Sequence, residues 1–203
     1  MKSAMDPRAE RSRDALRASV FRLAGEQRIE TVTTTEVARA AGVTRGTVYN
    51  HGKTPAELLE HFLADELTGL RERFTRNLGE RSVRESFASG VRDAVDHIIQ
   101  HLTIYERALA REPSPAIHHV LSDHFASTLT EFFRDHPALV QVPEGFDRDE
   151  NLETTIESLA AYAAHGVVGT IEVWLRQGPD RNTSLLIATI TSMLPAWYFG
   201  TTT

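Results

Sequence analysis

Residues 33–51 read TTTEVARAAGVTRGTVYNH, and the rest of the chain is best read outward from this stretch. Thr33 and Glu36 have capping-box spacing: the hydroxyl can accept from the amide of residue 36, while the carboxylate reaches back to the amide of residue 33. Val37, Ala38 and Ala41 then give a short helix one apolar stripe. Gly42 falls where a left-handed residue would end that helix, a conformation open to glycine because it has no Cβ. Val43 can anchor the turn in a core, and Thr44 is a natural N-cap for a second short helix over 45–51. A helix, a tight glycine turn and a capped second helix make a helix-turn-helix, whose second helix enters the major groove of DNA. On spacing alone, the pattern also suits an ordinary helical hairpin within a core.

The second helix is chemically suited to DNA. It carries no carboxylate that would repel phosphate. Arg45 can donate two hydrogen bonds to the O6 and N7 of a guanine, and Thr47 can meet a base edge or a thymine methyl. Asn50 and His51 can reach bases or phosphates, and the Tyr49 hydroxyl can hold a phosphate oxygen. Gly46 permits close approach of backbone to DNA. Thr35, Thr44 and Lys53 flank these residues and complete the candidate DNA-contacting set.

The same stretch resembles the signature of the TetR (tetracycline-repressor) family of bacterial regulators. There, a capped T-x-x-[DE]-[IV]-A is followed by x-x-A-G-V-[ST]-x-G-[ST]-[LIV]-Y and a short segment ending in His-Phe. The resemblance implies an N-terminal three-helix DNA-binding domain, here residues 1–54 with the motif at about 33–52. It also implies a helical domain, residues 55–203, that dimerises and binds an effector. Three positions depart from the pattern. Gly52 stands where the family has Phe, and the usual lysine is replaced around Pro55, leaving Lys53 as a substitute. Arg28 stands where a glycine usually follows the first helix, with Gly25 earlier. Residues 54–57 still form a capping box with proline at the first helical position.

Composition agrees with a regulator. The 203 residues are 41% hydrophobic and 25% charged, enough to bury a core. The absence of cysteine removes disulfides, thiolate nucleophiles and cysteine zinc sites. The N-terminus lacks the apolar core of a signal peptide and no run is long enough to span a membrane, so a cytoplasmic protein without membrane contact is expected. The net charge of −6 hides an asymmetry: residues 1–53 carry ten Lys/Arg against six Asp/Glu, and residues 54–203 carry twelve against twenty-two. A basic head can approach phosphates that would repel the acidic body.

Apolar residues recur at three- and four-residue spacing nearly everywhere, which predicts an all-α protein of about nine helices. They are expected over 8–26, 34–41, 45–51, 55–78, 82–110, 115–135, 151–177 and 181–199, with a short turn near Pro113 and a loop over 136–148. Residues 165–178 (HGVVGTIEVWLRQG) resemble the Trp-containing end of the TetR family's eighth helix. The family places a four-helix dimer seam there, with Val167, Ile171, Trp174, Ile190 and Trp197 as candidate contacts; periodicity alone suits a monomer core equally well. The helices over 82–135 are expected to build the effector pocket, with His101, Tyr105, Phe125 and Phe133 as candidates.

Nine histidines are present, and His97 and His101 have the i, i+4 spacing of metal ligands. No carboxylate or cysteine cluster completes a set in sequence register, so no metal or cofactor is assigned. No nucleophile–base set and no phosphate-binding glycine loop appears, which disfavours a histidine-dependent metalloenzyme. The expected function is a homodimeric repressor released from a palindromic DNA operator by a small-molecule effector. A constitutive or activating regulator is the alternative.

Overall fold

The computed structural model describes residues 7–78, 82–111 and 114–193, and among these there is no β-strand. Helix α1 (Pro7–Glu26) buries Leu16, Val20, Leu23 and Ala24, which their spacing places on one face. A turn of 3-10 helix (Ile29–Thr31) leads to α2 (Thr34–Ala41) and α3 (Arg45–Tyr49). The long α4 (Pro55–Asn77) starts on Thr54, whose hydroxyl accepts from the Glu57 amide at 3.1 Å. The expected capping box closes one residue further out, because the Glu57 carboxylate accepts from the Lys53 amide at 2.8 Å.

The helix expected over 82–110 is broken. Helix α5 (Val83–Gln100) stops at His101, whose backbone leaves the helical region (φ −111°, ψ 31°). A single turn, α6 (Leu102–Tyr105), follows and widens into a π-helical segment (Glu106–Arg111). Tertiary contacts override helix propensity here. The bend carries the His101 ring onto Glu66 of α4, and Thr103 onto Gly25 of α1. A Cβ at residue 25 would lie 2.8 Å from the Thr103 hydroxyl, so glycine is what lets α6 cross the end of α1. The turn expected near Pro113 lies outside the described residues.

Helix α7 (Pro115–Asp135) packs antiparallel along α8 (Arg148–Arg176). Helix α8 begins three residues before its expected start because Asp147 caps it, accepting from the Glu150 amide at 3.1 Å. Gly178, at φ +65°, turns the chain into α9 (Thr183–Met193). Residues 194–199 of the expected last helix lie outside the described residues, and so does Trp197.

One apolar cluster runs without interruption from Leu16, Val37 and Val48 in the head to Tyr105, Trp174 and Leu186 in the body. A second, aromatic cluster of Phe74, Phe87, Phe132 and Phe133 closes the far end. Arg107 of the π segment donates to the Glu26 carbonyl at 3.2 Å, capping the end of α1 from the body side. Arg17 of α1 meets Glu66 of α4 at 3.4 Å, and Arg13 pairs with Asp65. Such partly exposed pairs contribute about 0–1 kcal/mol each, so they orient the head more than they stabilise it. Among the described residues, no helix is long and apolar enough to cross a membrane.

Candidate nucleic-acid interface

The helix-turn-helix is built from its caps. Thr33 accepts from the Glu36 amide at 3.2 Å and donates its own amide to the Glu36 carboxylate at 2.8 Å, the capping box read from the sequence. The Thr33 hydroxyl, donating to the same carboxylate at 2.7 Å, and then the Thr33 amide hold the Glu36 carboxyl below its usual range. Gly42 ends α2 at φ +66°; the Val43 amide reaches the Ala38 carbonyl at 3.0 Å, and the Gly42 amide reaches Arg39. That pair of bonds is a Schellman motif, open to glycine at its left-handed position. Thr44 then caps α3, accepting from the Thr47 amide at 3.1 Å.

Five residues cannot hold a helix by themselves. Helix α3 is held by its caps and by Val48, which is buried against the head, a contribution of about 1.5 kcal/mol or more. The rest of α3 is mostly exposed. Arg45, Gly46, Tyr49 and Asn50 are exposed, as are Thr35, Thr44 and Lys53, while Thr47 and His51 are half-buried. Hydrogen bonds from Arg45 and then Thr34 hold the Tyr49 phenol below its usual range. Arg45 and Tyr49 therefore act as one outward-facing pair, braced on the start of α2. No carboxylate occurs between residues 44 and 53.

Behind the head, an apolar cavity of about 70 Å³ lies between α4, α5, α7, α8 and α9. Phe74, Phe87, Val91, Phe125 and Ile171 line it, with Arg71, Asp93, His124 and Thr128 as its polar groups. Burial, then Arg71 and His97, holds His124 down at about 4, so it is a neutral donor or acceptor at pH 7. Of the four residues named from sequence, only Phe125 reaches this cavity. Phe133 is fully buried in the aromatic cluster, and Tyr105 and His101 belong to a polar group elsewhere.

That polar group was not legible as a set. Glu66, thirty-five positions before His101, comes in from α4 and accepts from the His101 ring at 2.7 Å. His97 Nδ1 lies 3.5 Å from the same carboxylate oxygen, and its Nε2 shares a hydrogen bond of 2.9 Å with the Tyr105 hydroxyl. Burial pushes the Glu66 carboxyl up, but His101, His97 and Arg17 outweigh it and leave it below the usual range. Burial also takes His97 down to about 4 and pushes the Tyr105 phenol up, so both are neutral.

The residues named for a dimer seam divide in the same way. Ile171, Trp174 and Ile190 are buried in this chain's own core, and Val167 is half-buried. The placement follows from helix phase: the bulkiest residues of α8 and α9 face inward. The outward stripe of the same two helices carries Tyr162, Gly166, Val173, Leu185 and Met193. Tyr162 is 79% exposed and Met193 66%, unusual for large apolar side chains.

No protein-family model matches the sequence, and no curated protein matches it. Solved structures do. FadR of Thermus thermophilus, a TetR-family repressor in complex with lauroyl-CoA, is 20% identical, with 89% of this chain and 91% of that one covered and a TM-score of 0.61. A chain from Syntrophomonas wolfei assigned to the TetR-family regulators is 17% identical, with coverage of 90% and 92% and a TM-score of 0.65. NalD of Pseudomonas aeruginosa, the secondary repressor of the MexAB-OprM multidrug efflux pump, is 21% identical, with coverage of 90% and 96% and a TM-score of 0.58. Over nearly its whole length, the chain has the fold of these regulators.

Proposed function

We infer that this chain is a transcriptional regulator of the TetR family, a homodimer that reads a palindromic DNA operator with α3 and is released by a small molecule bound in its body. The observation that carries the reading is α3 itself: a helix capped at its start, anchored by one buried side chain, with Arg45, Tyr49 and Asn50 outward and no carboxylate nearby. A packing helix would bury more of its surface; a reading helix must leave it free. The ten Lys/Arg of residues 1–53 supply the charge that approaches phosphates.

The cavity supports the release step. Its apolar walls with a few polar groups suit an apolar or amphipathic effector. Neighbours of the same fold hold such molecules: lauroyl-CoA and stearoyl-CoA in two FadR proteins, and resorcinol in RolR. Dimerisation through the outward stripe of α8 and α9 would cover its exposed apolar side chains. The chain works without catalysis, in the cytoplasm where its operator lies. An activator is the second reading, because DhaS, an operon activator, shares the fold at 12% identity and a TM-score of 0.59.

Selection of bound sequences from random duplex DNA tests the reading. A palindrome whose half-sites lie one helical turn apart, about 34–36 Å, or a multiple of it, is expected. Failure to enrich any duplex would remove the regulator reading. An operator upstream of its promoter, with expression lost on deletion of the gene, would favour the activator.

A further inference from the structure

We propose that Glu66, His97 and His101 form a binding site for a divalent transition-metal ion of the zinc class, set in the joint between head and body. One carboxylate oxygen, Oε2 of Glu66, lies 2.7 Å from His101 Nε2 and 3.5 Å from His97 Nδ1. All three donor atoms fall within 4.8 Å of one another. Tetrahedral ligands about 2.0–2.1 Å from zinc stand roughly 3.3 Å apart, so small rotamer adjustments close the set.

Three features distinguish this group from a chance surface cluster. It draws on three elements, α4, α5 and the break before α6, and that break is what aims the His101 ring. Its ligands have outer partners: the far ring nitrogen of His97 rests on Tyr105, itself wholly buried, and the second oxygen of Glu66 takes Arg17 at 3.4 Å. Outer partners of this kind orient metal ligands. Phe21 walls one side, its ring 4.7 Å from that of His101, while Glu66 and His97 border an open polar cleft that admits water as a further ligand. Two imidazoles and one carboxylate suit zinc, cobalt or nickel; magnesium and calcium prefer all-oxygen sets.

The site also has a regulatory consequence, which rests on the regulator reading. Its carboxylate is the group that holds Arg17 of α1. An ion drawing Glu66 towards the histidines shifts the head relative to the body, and so changes the spacing of the two reading helices.

The full-length protein, stripped with a chelator, is titrated with cobalt followed by absorption in the visible, and with zinc by calorimetry. One ion per chain is expected, with a cobalt spectrum of low coordination number. Glu66→Gln and His101→Gln, both at half-buried positions, should abolish it, while exposed His119→Gln should leave it intact. Tyr105→Phe should weaken zinc about 10- to 100-fold without abolishing it. Absence of saturable binding, or binding that survives both ligand substitutions, overturns the site. Zinc at saturation should then change operator affinity at least about 5-fold in the wild type and not in Glu66→Gln. Unchanged affinity with zinc bound overturns the regulatory consequence alone; a protein that binds zinc but no DNA in either form counts against the regulator reading instead.

Discussion

Arg45 and Tyr49 lie one turn apart on the outer face of α3, where the Arg45 guanidinium helps to hold the Tyr49 phenol below its usual range. If Arg45 reads a guanine, Arg45→Ala should cost about 1–3 kcal/mol of operator affinity and relax preference at one position per half-site. Competition titrations over single-base variants of the selected site would reveal it; an equal loss on every variant would move Arg45 to the phosphate backbone. His124 makes a separate, pH-dependent claim. Its folded-state pKa of about 4 lies below the ordinary 6.5, so the unfolded chain takes up the proton first as pH falls. The stability His124 contributes is complete above about pH 6.5 and is lost as pH drops towards 4, on the order of 2 kcal/mol by pH 5. His97, shifted alike, adds a loss of the same sign. Urea unfolding at pH 7 and pH 5 should therefore show His124→Gln losing about half as much as the wild type, and an equal loss in both would contradict this assignment. At this scale the sequence was partly legible. Thr33, Gly42 and Thr44 act locally, within a few residues, and could be read directly. Glu66 could not, because nothing in the sequence says that α4 will pass beside His97 and His101.

The elements themselves were mostly legible, because helix period and caps are local. The break at His101 was not, since its causes are a carboxylate on α4 and a glycine on α1. The phase of the two helices named for a seam was not legible either. The stretch 165–178, with its tryptophan, pointed to a seam, but three of the bulky residues named for a partner, Ile171, Trp174 and Ile190, lie inside this chain's own core. The outward stripe makes a sharper prediction. Val173→Glu combined with Tyr162→Glu should leave the fold intact, both positions being exposed, and yield monomers in sedimentation with operator binding lost. A stable dimer in that variant would place the seam on another surface. Trp174→Glu, by contrast, should unfold the chain, because an unpaired charge in that core costs several kcal/mol.

At the scale of the whole molecule, α4 connects the parts. Near its start Leu58 and Leu59 sit in the core shared with the head; at its middle Glu66 meets Arg17; further on Leu70 and Phe74 line the cavity. A molecule that spreads the cavity moves this helix, and the Arg107 contact ties the π segment to the end of α1 as well. In the proposed dimer, an operator fixes the spacing of the two reading helices. An effector that prefers another spacing must weaken DNA binding, and DNA must weaken the effector by the same factor, roughly 5- to 150-fold for a coupling of about 1–3 kcal/mol. Titrating any cavity ligand with and without operator measures both factors, and an affinity indifferent to DNA would disqualify that ligand as the inducer. The most direct test of the central claim is the operator affinity itself, measured by anisotropy across a range of salt concentrations. The account predicts two chains per palindromic duplex and a logarithm of affinity that falls linearly with the logarithm of salt, by about 0.9 per phosphate contact. Binding indifferent to salt, or no binding to any duplex, would contradict it.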